Sequence, residues 1–115
     1  TDLPIPIAAD ESALTLADVA GLVGRFQTVN IKLDKSGGLT EGLAIAREAR
    51  ARGLDVMVGN MVGSSLSMAP AFVLGQLCDV VDLDGPIFIA KDRVPAVLYR
   101  DGDVWCDAEV GGGRK

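Results

Sequence analysis

The feature that most restricts how this chain can fold is a repeated unit of strand, polar loop and helix. Short β-rich runs begin near Ile5, Val29, Asp55 and Val80, so successive starts lie 24, 26 and 25 residues apart. Successive βα units form parallel sheets whose strands are buried on both faces. The repeat therefore predicts an α/β fold, and it leaves a doubly wound sheet and a (β/α) barrel as the two possible architectures.

Three helices are predicted between the four strands, bounded by capping residues and glycines. Their expected ranges are Thr15 to Val23, Thr40 to Gly53 and Ser65 to Leu77. We expect Thr15 and Thr40 to be N-caps, and we prefer Ser64 and Ser65 as caps over the alternative that they bind a carboxylate or phosphate. Pro70 removes a backbone donor and should distort the third helix.

The pattern changes after Gly85-Pro86. The apolar run Ile87 to Ala90 is interpreted as a further strand, and Asp101-Gly102 between two β-rich runs predicts a tight hairpin. Residues 111–115 are interpreted as a tail.

Composition excludes several classes of function. The 115 residues suit one domain, and a net charge of −5 without a basic run argues against nucleic acid or anionic membrane as a partner. The chain contains no histidine, so the usual zinc sites and His-based triads are excluded. No apolar run approaches the roughly 20 residues of a membrane span. Cys78 and Cys106 are isolated, which favours reduced thiols and a cytoplasmic protein.

Polar side chains stand at the carboxyl ends of all four predicted strands, where functional groups of parallel α/β proteins collect. They are Asp10 and Glu11 after the first strand, Lys32 in the second, Asn60 after the third, and Asp82 and Asp84 at the fourth. We therefore expect one functional rim.

Lys32 is the best acid/base candidate in the chain. Because side chains alternate along a strand, it shares a face with Asn30, and that face can point into a barrel interior. A lysine there needs an ionic partner, which Asp10 or Glu11 could supply. The alternative is a strand-end lysine that extends to solvent, and the spacing alone leaves both interpretations open.

The acidic residues of the rim suggest two kinds of ligand. Asp82 and Asp84 lie two residues apart, so both carboxylates can face one cavity and attract a single ammonium group. A turn is the alternative role for Asp84, since Asp84-Gly85-Pro86 favours turns. Asp10 offers a hard oxygen ligand for Mg²⁺, but further ligands must come from elsewhere.

Four segments contain these strand-end polar residues, and three of the four also contain glycine. They are Ala8-Ala9-Asp10-Glu11-Ser12, Asn30-Ile-Lys32-Leu-Asp-Lys-Ser-Gly37-Gly38, Val58-Gly59-Asn60-Met61 and Asp82-Leu-Asp84-Gly85-Pro86. In order and spacing they resemble the muconate lactonizing subgroup of the enolase superfamily. The last segment is similar to the one by which dipeptide epimerases hold the α-ammonium group of the substrate.

The resemblance implies a fold and a set of site residues. Residues 1–86 would form strands five to eight of a TIM-like (β/α)7β barrel, and residues 87–110 would form a strand and hairpin returning to a capping domain. The implied roles are metal ligation by Asp10, catalysis by Lys32 as one of two opposed lysines, and substrate binding by Asn60, Met61, Asp82 and Asp84.

The activity that the resemblance implies is Mg²⁺-dependent epimerisation of a dipeptide such as L-Ala-L-Glu, through proton removal next to a carboxylate and an enediolate. The other metal ligands and the second lysine would belong to an N-terminal barrel half and capping domain that these residues do not include, and the whole would be a homo-oligomer. A sister activity remains open: muconate cycloisomerase, o-succinylbenzoate synthase or N-acylamino acid racemase. So does an inactive structural half-barrel.

Overall fold

The computed structural model describes residues 4–10 and 15–112, and its centre is a sheet of four parallel strands. The strands are β1 (Ala8–Ala9), β2 (Thr28–Lys32), β3 (Asp55–Gly59) and β4 (Val80–Asp82). Each pairs with the next in chain order, which is what sequential βα units produce. The predicted parallel α/β architecture is therefore correct, although β1 begins at Ala8 and not near Ile5 as predicted.

Four α-helical segments are present in the described residues. They are α1 (Val19–Leu22), α2 (Leu33–Ser36), α3 (Leu39–Ala51) and α4 (Ser65–Gly75). One of them, α2, was not predicted. The α3 and α4 helices are the two long ones, and both pack on the sheet. Ser64 caps α4, because its hydroxyl accepts a hydrogen bond from the Ser67 backbone N–H at 3.3 Å. The α4 helix continues through Pro70.

Two helix predictions need correction. The first predicted helix is a 3₁₀ turn, Leu16–Asp18, followed by the single turn α1. Of the apolar stripe Leu16, Val19, Ala20 and Val23 that predicted it, Val19 is buried, whereas Leu16 and Val23 are 40% and 46% exposed. The second helix begins at Leu39 with Gly38 as N-cap, so the predicted cap at Thr40 is wrong. Gly38 has a φ of 116°, a conformation that favours glycine over threonine at this entry to the helix.

The core lies on the face of the sheet that α3 and α4 cover. It is built from aliphatic side chains of strands and helices, among which Ile31, Val56, Val58, Ile45 and Leu74 are fully buried. Because side chains alternate along a strand, Asn30 and Lys32 project from the opposite face. That face carries the polar groups.

The C-terminal hairpin is confirmed, whereas the strand predicted before it is not found. Strands β5 (Leu98–Arg100) and β6 (Asp103–Trp105) pair antiparallel, and Asp101 and Gly102 take the positive φ angles of 52° and 83° that a tight turn of this kind requires. Residues 87–90 do not form a strand, since Gly85–Phe88 is a 3₁₀ helix with Pro86 in its first turn.

The predicted tail is only partly described. Gly111 ends a further 3₁₀ helix, Ala108–Gly111, that packs against α4, so this residue is ordered structure and not tail. Residues 113–115 lie outside the described residues. Among the helices that the structure does describe, none has the length and apolar character that crossing a bilayer would take.

Candidate active site

Lys32, Gly59 and Asp82 occupy one row across three neighbouring strands. Lys32 is in register with Gly59, and Gly59 is in register with Asp82. Residues in one row of a parallel sheet project from the same face, so Lys32 and Asp82 share the face opposite the core. The row lies at the carboxyl ends of the strands, where the rim was predicted.

Gly59 leaves the space between Lys32 and Asp82 open. A Cβ atom at this position would lie 3.4 Å from Cε of Lys32 and 3.1 Å from Oδ1 of Asn30. A Cβ here would therefore crowd the Asn30 amide and lie against the lysine. In the sequence, Gly59 stands out only as part of a motif. Its position between Lys32 and Asp82 becomes visible only from the register of the strands.

Lys32 is held by an ion pair with Asp10. The distance from Lys32 Nζ to Asp10 Oδ2 is 2.9 Å, and the lysine side chain is 19% exposed. The predicted pairing with an acid after the first strand is confirmed for Asp10, while Glu11 lies outside the described residues. The ammonium group is thus turned to the rim and not extended into solvent.

Asp82 and Asp84 lie together, as their spacing predicts. Burial raises the pKa of Asp82 above its usual value, and the neighbouring charge of Asp84 and a hydrogen bond between the two carboxyl groups raise it further; the charge of Lys32 acts in the opposite direction. Leu83, between them, is buried in the core at 2% exposure. The pair consequently presents closely spaced negative charge that a cation would relieve.

The turn interpretation of Asp84 is compatible with this arrangement. Asp84 is the N-cap residue of the 3₁₀ helix Gly85–Phe88, and its backbone carbonyl accepts from the Ile87 N–H at 2.9 Å. Its carboxylate makes no capping bond to that helix. The backbone of Asp84 forms the turn while its carboxylate is directed to Asp82.

Asn60 and Met61 connect the neighbouring loops. Oδ1 of Asn60 accepts from the Gly85 N–H at 3.3 Å, and Asp34 Oδ2 accepts from the Met61 N–H at 3.0 Å. The side chain of Met61 is 49% exposed. The amide of Asn60 therefore braces the segment that carries the acidic pair, and the Met61 side chain is available at the rim.

Asp10 has the chemistry of a magnesium ligand. Among residues 4–10 and 15–112, its Oδ1 atom is buried and has no hydrogen-bond partner, so one hard oxygen remains available beside the ion pair with Lys32. The same residues hold no cluster of three or more acidic, cysteine or histidine side chains that could bind a metal ion. Asp10 thus fits Mg²⁺ as one ligand of a set.

These residues bring a lysine and three carboxylates together at the carboxyl ends of the parallel strands. Residues 1–113 match the family model described as enolase C-terminal domain-like, and the chain belongs to that family. An N-acetyl-D-glutamate racemase of a Pseudoalteromonas species is 52% identical over 101 residues, which are 88% of this chain and 32% of that protein. Other curated relatives, 36% to 46% identical, are named L-Ala-D/L-Glu, L-Ala-D/L-amino acid or hydrophobic dipeptide epimerases.

Two solved structures show which part of a larger fold this chain resembles. An enolase family member from Agrobacterium tumefaciens, described by its homology to dipeptide epimerases and solved with sodium and L-Ala-L-Glu, has a TM-score of 0.90 and 45% identity over 97% of this chain and 35% of that one. A dipeptide epimerase from Methylococcus capsulatus, solved with Mg and L-Arg-D-Lys, has a TM-score of 0.80 and 36% identity over 88% of this chain and 30% of that one. The chain thus has the fold of the C-terminal barrel half and spans about a third of the length of the proteins it matches.

Proposed function

We propose that the full-length protein is a Mg²⁺-dependent epimerase of dipeptides such as L-Ala-L-Glu, and that this chain supplies Asp10, Lys32 and the pair Asp82/Asp84. The observation that carries the proposal is the row in which Lys32 and Asp82 share one face across Gly59. A base and an ammonium-binding pair then stand on either side of one space. The names of the epimerase relatives support the same reaction.

Lys32 and Asp10 have different tasks in this reaction. Lys32 removes the α-proton next to the substrate carboxylate, or returns it, on one face of the carbon; a second base on the other face completes the inversion. Asp10 holds the ammonium of Lys32 in place at 2.9 Å and supplies one oxygen ligand to the metal. When bound, Mg²⁺ stabilises the negative charge that develops on the substrate carboxylate.

The acidic pair selects for a free amino terminus. Burial and mutual repulsion make the two carboxylates costly to keep ionised together, which is the direction in which the pKa of Asp82 is shifted. A substrate ammonium removes that cost and gains charge-assisted hydrogen bonds. The substrates of muconate cycloisomerase and o-succinylbenzoate synthase lack an ammonium group and would leave the pair uncompensated.

The proposal is tested by Asp82→Asn in the full-length protein, with L-Ala-L-Glu and its N-acetylated analogue as ligands. We expect KM for the free dipeptide to rise roughly ten- to a hundredfold, because a charge-assisted contact is lost, while the Ki of the blocked analogue changes little. Asp55→Asn, an exposed residue at the other end of β3, is the matched control. Equal losses for both ligands would assign Asp82 to the scaffold.

Racemisation of an N-acylated amino acid is the second candidate. It is favoured by the 52% identity to the N-acetyl-D-glutamate racemase. The wild-type protein separates the two: turnover of N-acetylglutamate that exceeds that of L-Ala-L-Glu would replace the dipeptide proposal.

A further inference from the structure

We propose that Tyr99 is a positioning residue that fixes the Asp82/Asp84 pair and thereby tunes recognition of the substrate ammonium. This inference rests on the proposed function of the pair. Tyr99 lies on β5 of the C-terminal hairpin, outside all four segments that suggested the site. Its hydroxyl donates a hydrogen bond to the backbone carbonyl oxygen of Leu83, the residue between the two aspartates.

The Leu83 peptide is the point at which the direction of both carboxylates is set. The Leu83 side chain is anchored in the core, and its carbonyl is held by Tyr99. Since Leu83 joins Asp82 to Asp84, holding its side chain and its carbonyl fixes the backbone on which both carboxylates stand. Rotation of this peptide would separate them.

The sheet does not supply this restraint. The β4 strand ends at Asp82, and its ladder with β3 ends at the same residue, so Leu83 and Asp84 lie beyond the paired strand. Beyond the ladder, the acidic segment is held by Tyr99 at Leu83 and by Asn60 at Gly85. Tyr99 therefore acts where strand pairing has stopped.

Tyr99 is suited to be a permanent donor. Burial, followed by the charges of Asp84, Asp92 and Asp82, raises the pKa of its phenol to about 12. The hydroxyl consequently stays protonated throughout the neutral range. Its donor function does not depend on a titration in that range.

The hairpin that carries Tyr99 is itself tied to α4. The carboxylate of Asp92 accepts hydrogen bonds from the backbone N–H of Ser65, at 2.9 Å, and from its hydroxyl, and Val97 N–H donates to Ser65 Oγ at 3.0 Å. Ser65 is fully buried. The N-terminus of α4 thus binds the Asp92 carboxylate of the same chain. This contact anchors the segment that leads into the hairpin.

The test is Tyr99→Phe in the full-length protein, which keeps the ring and removes only the hydroxyl. We expect KM for L-Ala-L-Glu to rise about three- to tenfold, as for the loss of one hydrogen bond, with kcat within about twofold. The Ki of the N-acetylated dipeptide should stay unchanged, since that ligand has no ammonium to place. Circular dichroism confirms that the variant is folded.

Asp92→Asn is the matched control, because it weakens the same hairpin at α4 and leaves the Tyr99 hydroxyl in place. We expect a lower melting temperature and no change in the ratio between the two ligands. Equal losses for both ligands in Tyr99→Phe, or no loss for either, would overturn the positioning role alone. A wild-type protein that binds both ligands equally would instead overturn the ammonium site, and this inference with it.

Discussion

At the scale of single residues, the site depends as much on an absent side chain as on those present. Lys32 and Asp82 project from one face of the sheet with Gly59 between them. A methyl group at Gly59 would meet the buried Asn30 amide at 3.1 Å, closer than ordinary packing allows. The glycine therefore keeps the space between Lys32 and Asp82 open.

Lys32→Ala in the full-length protein should abolish epimerisation while α-proton exchange with D₂O survives for one stereoisomer only. The asymmetry follows because each base serves one face of the carbon, and loss of a general base costs about 10²–10⁴-fold. NMR in D₂O measures the exchange. Lys91→Ala, an exposed lysine after the 3₁₀ helix Gly85–Phe88, is the control. Turnover within a fewfold of wild type would exclude Lys32 as the base.

Sequence reasoning at this scale succeeded where chemistry and local spacing suffice. An inward lysine in an apolar strand needs an anion, and the acid at the end of the preceding strand supplies it, as the contact of Lys32 with Asp10 confirms. Tyr99 was missed because its hydroxyl meets Leu83 across 16 residues, and neither residue carries a local signal for that contact. The roles of Asn60 and Met61 toward substrate stay predictions.

At the scale of elements, strands were predicted better than helix ends. The β3 strand begins at Asp55, as predicted, because the buried run that follows it is apolar from Val56 to Val58. The first helix was overestimated, because four apolar positions at helical spacing fit many short segments; its first turn, Leu16–Asp18, is 3₁₀, and only Val19–Leu22 is α-helical. Asp101-Gly102 predicted its hairpin correctly, since few other residues tolerate those φ angles.

Gly85→Ala should disrupt the contact between the loop after β3 and the acidic segment. An added Cβ would collide with the Met61 carbonyl oxygen and lie 2.6 Å from Nδ2 of Asn60. Backbone must then move, at a cost of about 1–3 kcal/mol in the free energy of unfolding. Thermal denaturation and KM for the dipeptide measure the two effects.

Gly75→Ala, at the end of α4, is the matched control for Gly85→Ala. Its added methyl would make only ordinary contacts, at 3.5 Å or more, with Val58 and Val81. We expect unchanged or slightly higher stability, as is usual when alanine replaces a helical glycine. A Gly85→Ala variant as stable as this control would show that the two loops are free to separate.

At the scale of the whole molecule, the sheet is open at both sides. Within the described residues, β1 and β4 each pair with one neighbour, and β4 leaves Val80 and Val81 about half exposed. In a barrel such edges are covered by further strands, which accords with a chain that spans about a third of its relatives. The regular spacing of the apolar strands predicted a parallel sheet, but it did not predict whether that sheet closes into a barrel.

The 115-residue chain alone should therefore self-associate and lack epimerase activity. Unpaired strand edges beside apolar side chains recruit other edges. Light scattering coupled to gel filtration should report dimers or larger species, and Val80→Lys should reduce them, since a charge on an edge strand opposes pairing. A monodisperse wild-type monomer with metal-dependent activity would refute this.

The shared register of Lys32, Gly59 and Asp82 also limits what mutation can change. Lys32, the proposed base, and Asp82, in the proposed ammonium site, stand two strand spacings apart, about 9–10 Å between backbones, a length set by backbone hydrogen bonding. A register slip of one residue would turn the side chains to the other face of the sheet. The distance between Lys32 and Asp82 therefore cannot change in small steps. Mutations at the rim can therefore change which substrate side chains fit. They cannot gradually increase the distance between the amino group and the reacting carbon of a substrate that spans Asp82 and Lys32.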